Sequence, residues 1–162
     1  MKKGQFFSID VFVAIAIIAV GLFVLYTSKS IQPSTAQTSA LSTDLMGSFN
    51  SLKVYEVDNP YVIELIQNGN ITRTDNTLLQ QISEFYIDGK PDLAGNVTEK
   101  VTAGVLPLQY AFSLYLDGTS IYESRPFDVN SPNVIATKRL VAGVKNSTLF
   151  WGPILAEVRV WR

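Results

Sequence analysis

From Val11 to Tyr26 the chain runs sixteen residues without a charged or strongly polar side chain. With Phe6 to Ile9 in front, the mostly apolar stretch reaches about twenty residues, on the order of 30 Å as a helix, the depth of a hydrocarbon core. Such a helix is apolar on all sides except at Asp10, so it has to sit in lipid or in the middle of a bundle. The run therefore predicts a transmembrane helix over residues 5–27. A buried helix of a soluble domain and a removable secretory signal cut near Ser34-Thr35-Ala36 are the alternatives. Lys2 and Lys3 precede the run and Lys29 alone follows closely, which orients the amino terminus toward the cytoplasm and everything from about residue 28 outward.

The chain has 162 residues, and about 110 of them remain for a head once the apolar segment and its stalk are set aside, enough for one core. It contains neither cysteine nor histidine. Disulfides, thiol catalysis and cysteine-ligated zinc are thereby excluded, and the commonest general base and transition-metal ligand are missing. Residues beyond 28 carry eleven basic and thirteen acidic side chains, near neutrality, so no basic footprint for nucleic acid appears.

Leu41, Leu45, Phe49 and Leu52 recur at helical spacing with Met46 beside them, and predict an amphipathic helix over 28–57 that continues the apolar one past Pro33. The head then spans 58–162. Asn59-Pro60 opens a short helix, and Asp75 or Thr77 caps another that carries Leu78, Leu79, Ile82, Phe85 and Tyr86 on one face. A further short helix fits between Asp92 and Leu106. After Pro107 the period changes to two. Tyr110 to Leu116 reads as a strand, Asp117-Gly118 as a hairpin turn, and Ile121 to Ser124 as the return. Residues 126–133 read as a loop, Val134 to Val144 as a long strand broken at Gly143, and Ile154 to Trp161 as the last strand. The expected fold class is α+β, an antiparallel sheet of about four strands packed on the long amino-terminal helix.

No catalytic constellation emerges from these residues. Asp117, Glu123 and Glu157 are acids scattered over strands, and the glycines form no phosphate loop. The chain is expected not to be an enzyme and to need no cofactor or metal. Three sequons, at Asn70, Asn96 and Asn146, are candidate glycan sites in an exported chain. Asp10 either rests among headgroups or pairs with a charge on a neighbouring copy.

Lys3-Gly4-Gln5, the Phe6-Phe7 pair, Ser8, Asp10 and the apolar run to Tyr26 together resemble an archaeal type IV pilin-like protein with a class III signal peptide. The resemblance implies a leader of residues 1–4, cut by a prepilin peptidase between Gly4 and Gln5. It implies a membrane precursor with its head outside, then assembly into a cell-surface filament with other copies or related pilins. Asp10, Val11, Phe12, Ile15, Ile18, Leu22 and Leu25 would form the filament core. The expected function is a pilin, major or minor, with adhesion among its uses. The alternative is a single-pass anchored binding protein that does not polymerise.

Overall fold

A computed structural model describes residues 11, 13–23, 35–126, 131, 133–145 and 149–162. The chain divides into two units, Met1–Ser34 and Thr35–Arg162. In the first, residues 13–23 form helix α1, with Ile15, Ile18 and Leu22 all exposed. Among the described residues, no helix is long and apolar enough to cross a membrane. This corrects the expectation of a transmembrane or filament-core helix over 5–27. The pilin resemblance, the filament-subunit function, the anchored alternative and the membrane-to-surface route all rested on that helix and fall with it. The physical reason is that apolar patterning says which side chains avoid water and does not by itself fix a membrane span. Gly4, Gln5, Asp10, Phe12 and Leu25 lie outside the described residues.

The second unit is α+β. Helix α2 (Thr35–Ser51) turns Thr38, Ser42, Leu45, Met46 and Phe49 inward. Its inner face thus begins in small polar residues and ends in large apolar ones. A single 3₁₀ turn, Val54–Glu56, follows it. Helix α3 (Pro60–Gln67) starts where Asn59 accepts a hydrogen bond from the Tyr61 amide at 3.0 Å. Helix α4 (Leu78–Ile87) starts at a reciprocal cap. The Thr77 hydroxyl accepts from the Gln80 amide, while the Gln80 side chain accepts from the Thr77 amide. Helix α5 (Pro91–Thr102) begins with proline in its first turn.

Four strands follow: β1 (Ala111–Leu116), β2 (Thr119–Glu123), β3 (Ile135–Lys145) and β4 (Leu149–Trp161). They form one antiparallel sheet in the order β2-β1-β4-β3. Asp117 and Gly118 both take positive φ, the conformation that lets a two-residue turn match the twist of its strands. Phe112, Leu114 and Leu116 of β1 and Ile154, Ala156, Val158 and Val160 of β4 are buried on alternate positions. Leu45, Met46 and Phe49 of α2 and Leu79, Ile82 and Phe85 of α4 join them in one core. Where α2 meets β3 the contact is polar: the Ser42 and Thr137 hydroxyls share a hydrogen bond of 2.7 Å. The first strand of that pair is not broken at Gly143. A Cβ there would lie 2.3 Å from the Trp151 ring, so the missing side chain is what admits the tryptophan across the β3–β4 pair. That fit, beside a bulge between Val141 and Gly143, lets β4 begin at Leu149, several residues before the expected start at Ile154.

Candidate binding groove

Three segments distant in sequence meet beside the free end of the β3–β4 hairpin. The turn after α2 is stitched to the residues preceding α4. Val54 and Tyr55 donate their amides to the carbonyls of Asn76 and Thr74, at 3.0 and 3.1 Å, and Lys53 bridges Thr77. Opposite this wall stand residues Ala142 to Val144 and Phe150 of the hairpin. Between them is a cavity of about 410 Å³ lined by Lys53, Arg73, Asp75, Asn76, Gln80, the β3 residues and Phe150.

Two side chains tie the walls together. The Gln80 amide donates to the Ala142 carbonyl at 3.0 Å, and the Arg73 guanidinium donates to the Val144 carbonyl. Arg73 also grips Asp75 with two further nitrogens, at 3.3 and 2.8 Å. This fork holds the Asp75 carboxyl below its usual range and raises the Arg73 guanidinium further. A third tie, Lys145 to Asp88, joins the hairpin to the end of α4. Behind the cavity wall lies a buried polar cluster. Asn76 donates to Glu84 at 2.9 Å, with Gln81 at 3.4 Å. Burial pushes the Glu84 carboxyl above its ordinary value, and the Asn76 hydrogen bond only partly opposes this.

Phe150 sets this groove apart from an ordinary crease, because it is 81 % exposed while lining the cavity. Leu140, Leu149 and Leu155 are exposed on the same hairpin. A smaller recess of about 240 Å³ lies elsewhere, among Leu106, Pro107, Tyr110, Phe112, Tyr122 and Arg125. Its rings mostly serve the fold: Phe112 and Tyr122 pack at 5.3 Å, and burial raises the Tyr122 phenol.

No protein family, curated protein or solved structure matches this chain in comparison.

The residues singled out in the sequence do not gather at the groove. Glu157 is nearly buried on β4 and is held by Arg159 and by Lys138 at 3.1 Å. Burial pushes its carboxyl up, and these two cations more than reverse that, leaving it below the usual range. Glu123 accepts from the Tyr115 and Ser120 hydroxyls, and Asp117 accepts from the Leu155 amide at 2.8 Å. Each acid is thus engaged by its own neighbours. Among the described residues, no cluster of three acids is placed to hold a metal ion. Of the sequons, Asn70 and Thr72 are both exposed after α3. Asn96 is exposed on α5, but its partner Thr98 is buried and donates its hydroxyl to the Ala94 carbonyl at 2.8 Å. Asn146 lies outside the described residues. Lys53, Arg73 and Phe150 escaped sequence reasoning. The available signal was Phe150-Trp151 straight after a turn, which places one aromatic out whenever the other points in.

Proposed function

We propose that the unit 35–162 is a non-catalytic binding domain that holds an extended segment of a partner chain in the groove beside the β3–β4 hairpin. The observation that carries this reading is Phe150, a large apolar side chain left in water at the edge of an open cavity of ligand-binding size with mixed polar and apolar walls. The sheet behind the hairpin and its three polar ties supply a rigid wall, so little ordering is needed on the domain's side when a partner docks. The absence of histidine and cysteine from the chain disfavours nucleophilic and general-base chemistry.

The test is a random peptide library selected against the immobilised full chain, followed by amide chemical-shift mapping with the enriched sequences. The expected footprint covers Lys53, Gln80, Val144 and Phe150, and Phe150→Ala abolishes enrichment while leaving the melting temperature within a few degrees. A footprint elsewhere, or no enrichment, refutes the reading.

A further inference from the structure

We infer that the groove selects an acidic peptide, one carrying a carboxylate beside a large apolar side chain; this rests on the binding reading above. The charges facing the cavity decide it. Of its two cations, Arg73 has three of its five N–H groups engaged, two on Asp75 and one on the Val144 carbonyl. Asp75 offsets one of the two, so the charged side chains of the lining sum to a single positive charge. Lys145, close by on the hairpin, is paired with Asp88. Among the described residues, the Lys53 ammonium is the lining cation with no carboxylate at ion-pair distance.

The carbonyls of Ala142 and Val144 already accept from Gln80 and Arg73. A lysine or arginine entering the groove would find one lone pair left on each of these carbonyls but a lining of net positive charge, whereas a carboxylate meets Lys53. Phe150 and Val144, paired across the hairpin, give the neighbouring apolar side chain a surface to cover. A single exposed ammonium is worth little alone, so the apolar contact supplies most of the affinity and Lys53 the choice among sequences.

The experiment titrates the full chain with three capped pentapeptides: glycine-aspartate-leucine-aspartate-glycine, and the same sequence with both aspartates replaced by asparagine or by lysine. Amide shifts give the site and the dissociation constant. The acidic peptide is expected to move Lys53, Val144 and Phe150 and to bind about threefold tighter than the asparagine peptide, with the gap closing as salt rises. Lys53→Gln should erase that preference at an unchanged melting temperature, and Lys53→Arg should keep it. Equal or tighter binding of the asparagine or lysine peptide in the groove overturns the acidic preference while leaving groove binding intact. An acidic peptide that shifts residues elsewhere, or none, also overturns it; the library footprint then decides the binding reading separately.

Discussion

Glu84 shows how one buried group ties this domain's stability to pH. Its ordinary value is 4.5, and burial raises it in the folded state. The folded protein therefore holds a proton that the unfolded chain releases. The resulting stability is fully present below about pH 4.5 and is lost as pH rises through the folded value. Glu84→Gln keeps the shape and can still accept from Asn76 without a charge to bury. It should raise the melting temperature at pH 7 and make no difference near pH 3.5. Thermal melts of both proteins from pH 3.5 to 8 check this; an equal offset at every pH would contradict it. Gly143 makes a steric point at the same scale. Gly143→Ala places a methyl group where the Trp151 ring lies, so the ring or strand has to move. The expected cost is about 1–3 kcal/mol in denaturant unfolding, with an altered tryptophan emission.

At the scale of elements, the caps carry much of the local specification. Thr77→Ala removes the hydroxyl that accepts from the Gln80 amide and should cost about 1 kcal/mol. Its second consequence matters more for the groove, because the Gln80 side chain both completes that cap and ties Ala142. Loss of the cap should therefore speed amide exchange at the start of α4. These elements were largely legible. Asn59-Pro60, a cap at Asp75 or Thr77, and Asp117-Gly118 are local signals, each with a physical mechanism that acts within four residues. The start of β4 was not legible, since Gly152-Pro153 reads as an interruption and the partner that extends the strand, Gly143, reads as a break. The groove was legible in none of its parts. Lys53, Arg73 and Phe150 belong to separate segments, and only the sheet order and the stitch between residues 53–55 and 74–77 bring them together. The apolar run at 11–26 misled for a related reason: hydropathy reported a preference for leaving water, and a full membrane span was read from it.

Across the whole molecule, the division at Ser34 predicts independence. The described core of the second unit starts at Leu45, with Leu41 packed on its edge, and draws on α2 through β4. A protein comprising residues 35–162 should unfold in one cooperative transition, with a midpoint within a few degrees of the full chain's. Calorimetry of the two proteins side by side checks this; a large drop would place part of the core before Thr35. The hydrogen bonds that Arg73 and Gln80 make to Val144 and Ala142 have a consequence at this scale too. They land on β3, one of the sheet's two edge strands, where a stranger's backbone would otherwise zip alongside, and the same strand carries the exposed Arg139. Crowded molecules of this protein are thereby hindered from joining along this edge, and whatever settles by the hairpin has to be recognised by its side chains.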